Sequence, residues 1–138
     1  MRLSLAVLTS LFLIFSFLAI STMNVYAGDG CASQTSDSDI LQCPLKAKQQ
    51  AEASLNSAYS AAKKRVNDSY AADQNLAQNY LKILLDSQRG WLKFRDGQCR
   101  LEAFLAEEGT SANNMLESKC MARMDNERVT QLAAMPYQ

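Results

Sequence analysis

The segment from Gln88 to Cys99, QRGWLKFRDGQC, decides the fold of this chain. It contains the only tryptophan, Trp91, an arginine at 95 and a cysteine at 99. Trp91, Arg95 and Cys99 are spaced i, i+4 and i+8, so they share one face of a helix. A face that combines an aromatic ring, a charge and a cysteine is expected to pack against other helices. Trp91 is therefore interpreted as a core residue rather than a ligand-stacking one.

Upstream of this segment, the composition predicts a first helix that begins at Leu45 and ends near Asn67. Pro44 suits the first turn of that helix, and Ala, Lys, Gln, Glu and Leu dominate the residues after it. Asp39 is expected to cap only a short turn before it. Apolar residues recur at helical spacing and predict one buried stripe: Leu55, Tyr59, Ala62 and Val66.

The second helix is predicted from an N-cap at Asp73 to a glycine stop at Gly109. Gly90 and Gly97 lie inside it, where we expect either a bend or the close approach of another helix. The acidic residues Glu102, Glu107 and Glu108 would form its exposed end. The predicted buried stripe continues through the central segment: Leu76, Tyr80, Ile83, Leu84, Trp91, Phe94, Leu101 and Leu105.

A third helix is predicted from about Ala112 to Ala134, capped by Thr110 or Ser111. Arg128 falls on its apolar stripe, which also contains Leu116, Cys120, Met124, Leu132 and Met135. No strand pattern is found along the chain. The sequence therefore predicts an all-α fold, a small three-helix domain with two disulfides.

The first 27 residues have the pattern of a secretory signal peptide. Arg2 precedes an apolar run from Leu3 to Ile20, and Val25-Tyr26-Ala27 resembles a cleavage site. A retained membrane anchor is the alternative, since the run approaches the ~18 residues needed to span a bilayer. We expect cleavage, a single domain over residues 28–138, and a periplasmic or secreted location. Contact with the membrane would then occur only through the signal segment before cleavage.

All four cysteines lie after residue 27: Cys31, Cys43, Cys99 and Cys120. An even number in a small exported domain indicates two disulfides, for which three connectivities are possible. We favour Cys31–Cys43 and Cys99–Cys120, because each pair is local and brackets a plausible turn. A zinc site is disfavoured because the chain has no histidine and no C-x-x-C spacing.

The two arginines on or beside apolar stripes, Arg95 and Arg128, need partners if they are buried. Asp96, Glu102 and Glu127 are the nearest acids in sequence, and we predict an ion pair that links the second helix to the third. The alternative is a local pair between Asp96 and Arg100 on an exposed face.

The sequence shows few groups of residues that could carry out catalysis or bind a metal or cofactor. No nucleophile–base pair, phosphate-binding glycine loop or metal-ligand cluster is found, so we predict no catalytic residues, no metal and no cofactor. Lys plus Arg and Asp plus Glu both number 14, which disfavours nucleic acid as a partner. The residues favour a binding protein over an enzyme, with another protein as its partner.

Three segments resemble the LprI-type lysozyme inhibitor family: LNSAY at residues 55–59, LLDSQRGWLKFRDGQC at residues 84–99, and Cys120 followed by Arg128 and Leu132. The resemblance implies an exported or periplasmic helical domain with paired cysteines. It also implies inhibition of lysozyme, an activity that belongs to some members. The motif residues carried over read as scaffold: Leu55, Tyr59, Gln88, Trp91, Arg95, Asp96 and Arg128.

A lysozyme cleft works through two carboxylates, so a rigid loop that plugs the cleft would block it. Two turns are candidates, one at Asn67-Asp68-Ser69 and one from Glu107 to Asn114. The second lies between Cys99 and Cys120, so a disulfide would stiffen it. Its partner-binding residues are predicted to be Glu107, Glu108, Asn113 and Asn114. The alternative function is a non-catalytic envelope-stress or immunity-like protein that binds a different partner.

Overall fold

The computed structural model describes Cys31 and residues 35–137. It contains three helices, α1 (Asp37–Ser69), α2 (Gln74–Ala103) and α3 (Ser111–Ala133), and no strand within the described part. The predicted all-α, three-helix fold is therefore confirmed. The signal segment predicted for residues 1–27 lies outside the described residues. None of the three helices is long and apolar enough to cross a membrane.

The helices run up, down and up, so that α1 and α3 are parallel. α3 packs against α1 along most of its length and against α2 less extensively, while α1 and α2 touch least. The far ends of α1 and α3 meet where Arg65 donates from Nη2 to the Leu132 carbonyl at 2.7 Å and from Nε to the Met135 carbonyl at 2.8 Å. Arg65 thus ties the end of α1 to two carbonyls at and just past the end of α3.

Each helix begins at a side chain that accepts a hydrogen bond from a backbone N–H in its first turn. Asp73 fills this role for α2, as predicted, and Thr110 fills it for α3. The cap of α1 is Ser36, not Asp39. The three bonds are Asp39 N–H to Ser36 Oγ, Leu76 N–H to Asp73 Oδ1 and Asn113 N–H to Thr110 Oγ1.

The predicted start of α1 at Leu45 is wrong, because the helix begins at Asp37 and Pro44 lies inside it. A proline inside a helix removes one N–H donor, and it frees the carbonyl of residue 40. Ile40 is exposed, so solvent is available to that carbonyl. Pro44 itself is buried. The N-cap, Ser36, lies upstream of the proline, so a prediction that started the helix at the proline placed its first residue too late in the chain.

The core lies between the three helices and is continuous along the bundle. The α1 stripe is confirmed, since Leu55, Ala62 and Val66 are buried. One cluster at the far end contains Leu55, Ala62, Leu84, Leu132 and Met135, and a second around the disulfide contains Cys99, Cys120, Met121 and Met124. Trp91 is half-buried and packs against both clusters.

The predicted stripe of α2 is wrong over much of its length. Ile83, Phe94 and Leu101 are 70%, 60% and 71% exposed. The buried face is rotated away from them and is built from smaller or polar residues: Ala77, Leu84, Gln88, Arg95, Cys99 and Ala103. Neither glycine in α2 is close to another helix, since a Cβ added at either would meet nothing within 4 Å.

Both predicted disulfides are present. Cys31 is bonded to Cys43 and Cys99 to Cys120, with sequence separations of 12 and 21. The second bond joins the last turns of α2 to α3. The predicted end of α2 at Gly109 is wrong, because α2 ends at Ala103 and contains Glu102. Residues 104–110, with Glu107 and Glu108, form a turn that returns the chain to α3. Gly109, at φ +80°, occupies the left-handed conformation in that turn.

Candidate functional site: a buried polar centre and an exposed turn

The polar centre of the bundle is an ion pair between α2 and α3. Arg95 donates from Nη1 to Oδ1 of Asp125 at 2.8 Å. Asp125 is 0% exposed, and Arg95 is also buried. The predicted interhelical ion pair therefore exists for Arg95, but its partner was missed. Asp125 lies among polar residues of α3, and no signal in the sequence distinguished it from a surface acid.

Burial dominates the electrostatics of Asp125. Loss of water raises its carboxyl pKa above the ordinary value, and the hydrogen bond and charge of Arg95 only partly offset this. Its second oxygen, Oδ2, has no hydrogen-bond partner among the described residues. For Arg95, burial opposes the charged form, but its bonds to Asp125 and Asp96 raise its pKa overall. Arg95 is therefore the charge on which the buried carboxylate depends.

Asp96 is the second partner of Arg95, not of Arg100. Arg95 donates to Oδ1 of Asp96 from Nε at 2.9 Å and from Nη2 at 2.7 Å. Arg100 instead donates from Nε to the backbone carbonyl of Asp96 at 3.3 Å. The alternative that was predicted, an ion pair between the carboxylate of Asp96 and the guanidinium of Arg100, is therefore absent. Asp96 holds the guanidinium from its exposed side while Asp125 holds it from within.

Arg128 is buried without an ionic partner in the described part of the chain. It donates from Nε to Gln88 Oε1 at 3.0 Å, from Nη2 to Ser87 Oγ and from Nη1 to Gln131 Oε1. Burial lowers its pKa. An ion pair with the neighbouring Glu127 was predicted as one possibility, but Glu127 pairs with Arg123.

Trp91 connects the two arginines. The guanidinium carbons of Arg95 and Arg128 lie 5.7 Å and 5.6 Å from the centre of its ring. Both distances are within the range of cation–π attraction. The motif residues Gln88, Trp91, Arg95 and Asp96 are thus brought together with Arg128 in one cluster. Leu55 and Tyr59 lie apart from it, in the apolar core and at its edge.

We interpret this centre as a structural element that stabilises the packing of α2 against α3. Among its buried side-chain polar atoms only Oδ2 of Asp125 lacks a hydrogen-bond partner in the described part of the chain. In the described residues no three His, Cys, Asp or Glu side chains are placed to hold a metal ion. The interactions cross between α2 and α3 and fix the rotation of α2 about its own axis. They explain why a face with two arginines and a glutamine is buried while larger apolar residues are exposed.

The most exposed feature is the turn at residues 104–110. Phe104 and Leu105 are 86% and 91% exposed, and Glu107 and Glu108 follow them with their side chains in solvent. Sequence reasoning assigned Leu105 to the core stripe and left Phe104 unassigned. Both fall just past the end of α2, where the helical period that places residues in the core no longer applies.

The turn is held in shape from both ends. The amide of Asn113 donates to the carbonyls of Ala103 at 2.9 Å and Ala106 at 3.2 Å. Thr110 donates from Oγ1 to the Glu107 carbonyl at 2.7 Å. Asn113, predicted to contact a partner, is half-buried and uses its side-chain amide for these two hydrogen bonds. Its contact with a partner stays a prediction. Asn114 is exposed.

An open cleft of about 690 Å³ lies beside this turn. Its lining includes Leu105, Glu107, Glu108, Asn114 and Glu117. Behind it, the Cys99–Cys120 bond and the Arg123–Glu102 pair, at 2.8 Å, join the two helices that carry the turn. Hydrogen bonds from Gln98 and Arg123 lower the pKa of Glu102. The other predicted turn, at Asn67-Asp68-Ser69, is instead the last turn of α1.

Fold and site together define a small disulfide-bonded helical domain with a buried polar centre and one prominent acidic and apolar turn. The sequence model of the family described as Lysozyme inhibitor LprI matches residues 29–132, and the chain belongs to this family. The predicted resemblance is therefore confirmed. The family is one of inhibitors, not of catalysts.

A protein of Rhizobium meliloti (strain 1021), named only as uncharacterized, is 33% identical over 105 residues. The match covers 74% of this chain and 75% of that protein. No solved structure matches the chain. The two disulfides and the family are consistent with an exported protein.

Proposed function

We propose that this protein is an exported inhibitor of lysozyme or of a related cell-wall hydrolase, and that it acts by inserting the turn after α2 into the cleft of the enzyme. The observation that carries the proposal is the exposure of Phe104 and Leu105 at the tip of a braced turn. Large apolar side chains that are almost fully exposed at one tip are typical of an anchor that is buried by a partner.

The charge of the turn suits a basic hydrolase. Glu107, Glu108 and Glu117 line the cleft beside the tip, and Arg100 is the only basic residue in the described lining. Carboxylates placed around an apolar anchor speed association with a basic surface and orient the encounter. Glu107 and Glu108 are exposed, while Glu117 is half-buried.

The bracing of the turn lowers the entropy cost of binding. Asn113 fixes the turn from α3, and the disulfide and the Arg123–Glu102 pair hold α2 and α3 together behind it. A loop that is already ordered does not lose that freedom on association. Asn113 thus supports binding by positioning the turn, while Asn114 and the glutamates supply contact surface.

Export is part of the proposal. Residues 1–27 would direct the chain across the inner membrane and be removed, leaving the domain in the periplasm or outside the cell. Both disulfides would form there, in an oxidising compartment. The protein would then meet lysozyme where lysozyme attacks the cell wall.

The test is a cell-wall lysis assay with exported, oxidised protein titrated against several lysozyme types. Dose-dependent inhibition is expected, and Leu105→Asp should abolish it while leaving the helical content unchanged. Charge reversal by Glu107→Lys and Glu108→Lys should slow association by roughly tenfold at low salt. Asp68→Lys, an exposed reversal at the end of α1, is the matched control and should leave the rate unchanged.

Two results would contradict this assignment. An equal loss of inhibition in Asp68→Lys would move the contact to the other end of the bundle. A folded wild-type protein that inhibits no lysozyme would instead favour the envelope-stress or immunity-like alternative, whose partner would be sought by capture from envelope extract.

A further inference from the structure

A largely apolar stripe on the outside of α2 has no other helix packed over it in the described structure. We name it the outer stripe, and it runs about 38 Å along the helix at 1.5 Å per residue. Its residues recur at intervals of seven, or of three and four, which is the period of a coiled-coil seam. The outer stripe consists of Leu76, Ile83, Ser87, Gly90, Phe94, Gly97 and Leu101. Ser87 lies at its edge toward α3, where its hydroxyl accepts from Arg128.

The small residues of the outer stripe indicate that a second helix packs closely against it. Gly90 and Gly97 sit in the interior of a helix, where each costs roughly 0.5–1 kcal/mol relative to alanine. Nothing within the described chain requires them, because a Cβ at either position would meet open space. Their place between exposed Ile83, Phe94 and Leu101 is that of small residues that let a second helix approach.

The charges beside the outer stripe identify the partner as a second copy of the chain. Asp86 and Lys93 are exposed on the same flank, seven residues apart and on opposite sides of the centre of the stripe. A two-fold axis through that centre brings Asp86 of each copy within one helical turn of Lys93 of the other, on flanks that meet. Two oppositely charged pairs then form by symmetry, as a closed two-fold interface requires.

We propose that α2 pairs antiparallel with α2 of a second copy through the outer stripe. In the register that places Ile83 of one chain opposite Phe94 of the other, Asp86 lies within one helical turn of Lys93. Leu76 faces Leu101, and Ser87 faces Gly90. The large residues fill the two ends, and the small ones allow the helices to approach at the middle.

The pairing leaves the proposed inhibitory turns free. The two copies of α2 run in opposite directions, so their C-terminal ends, each followed by its turn at residues 104–110, lie at opposite ends of the dimer. Each dimer would present two turns to two separate enzyme molecules. The pairing stands on the outer stripe alone and does not depend on whether the target is a lysozyme.

Sedimentation of exported, oxidised protein over a range of concentrations tests the pairing. Wild-type protein is expected to pass from monomer to dimer below about 0.2 mM, in the range of weak specific interfaces. Gly90→Leu keeps the fold, because the new side chain meets open space, and it is expected to be monomeric. Leu105→Asp is the matched control in the turn and should dimerise as wild type does.

Exchange of the charges at Asp86 and Lys93 distinguishes this specific pairing from nonspecific association. Asp86→Lys alone, or Lys93→Asp alone, turns both symmetric pairs into repulsions and should raise the dimer dissociation constant about tenfold. The double exchange restores both pairs and should return the constant close to its wild-type value. Since the two positions lie about 10 Å apart along one helix, an intrachain contact would not give this rescue.

A wild-type protein that stays monomeric at about 0.2 mM would overturn the pairing, as would a double exchange that dimerises no better than the single ones. The lysis assay reports on the other proposal separately. Gly90→Leu should inhibit lysozyme as wild type does per monomer. Loss of inhibition in Gly90→Leu would show that the outer stripe contacts the enzyme, which also contradicts self-pairing.

Discussion

Removing Arg95 should destabilise the protein in a manner that depends steeply on pH. The substitution Arg95→Met keeps much of the side-chain volume but leaves Asp125 fully buried without a hydrogen bond. The carboxyl then avoids an uncompensated charge by staying protonated when folded. Folding at neutral pH would therefore require Asp125 to take up a proton that the unfolded chain has released.

The size of this effect follows from the pKa values. An unfolded aspartate titrates near ~3.9, and each pH unit is worth about 1.4 kcal/mol, so the proton costs at most about 4 kcal/mol at pH 7. The folded pKa is raised above the unfolded one, so stability is fully present below the unfolded pKa and is lost as pH rises. Burial already raises the pKa of Asp125 in the wild type. Part of this cost is therefore present in both proteins, and the stability difference between them is smaller than the maximum.

Urea unfolding followed by circular dichroism at several pH values between 4 and 8 measures the effect. The stability difference between wild type and Arg95→Met should be smallest near pH 4 and should grow with pH. Asp125→Ala should cost about 3 kcal/mol near pH 4 and less at higher pH, because the raised pKa of Asp125 makes the wild type lose stability as pH rises while the variant has no such group. Arg123→Met, at an exposed pair, should cost less than about 1 kcal/mol.

A stability difference for Arg95→Met that stays constant from pH 4 to pH 8 would refute the reasoning. It would mean that Asp125 remains ionised in the folded variant, with water or another group replacing the guanidinium. The double variant Arg95→Met and Asp125→Leu provides a further check. It removes both charges from the interior and should recover most of the lost stability.

Three further predictions concern the core, the disulfide and the turn. Leu132→Ala, at a fully buried position, should lower the free energy of unfolding by about 3 kcal/mol in urea titrations. Replacing Cys99 and Cys120 together by alanine should cost about 3 kcal/mol, from the loop of 21 residues that they close, measured by thermal unfolding. Asn113→Ala should cost about 1 kcal/mol, because the turn loses two hydrogen bonds, yet should weaken lysozyme inhibition more than the stability loss explains.

Helix content and disulfides were predictable because both depend on local information. The stripe of α1 at Leu55, Ala62 and Val66 is buried as its spacing predicts, and Asp73 and Thr110 cap helices as their side chains favour. The favoured pairing of the cysteines was right. The start of α1 was misplaced because a serine cap beyond Pro44 outweighs the usual preference of proline for a first turn.

The orientation of α2 was not predictable from its own residues. The helical spacing of apolar residues predicted that Ile83, Phe94 and Leu101 are buried, and the structure places them outside. Arg95 and Gln88 are inside because Asp125 and Arg128, on another helix, satisfy their polar groups. The residues of α2 alone do not indicate which side chains of α3 will pair with its polar groups.

The sequence by itself determined the class of fold, the number of helices and the family, because periodicity, capping residues, cysteine count and motif spacing are all local properties of the chain. Only the tertiary structure decided which face of α2 is buried and which residues form the exposed turn. The physical reason is that a buried charge is tolerated only where a partner lies within hydrogen-bond distance. Whether Arg95 meets that condition depends on how α3 packs against α2, and local patterns do not encode it.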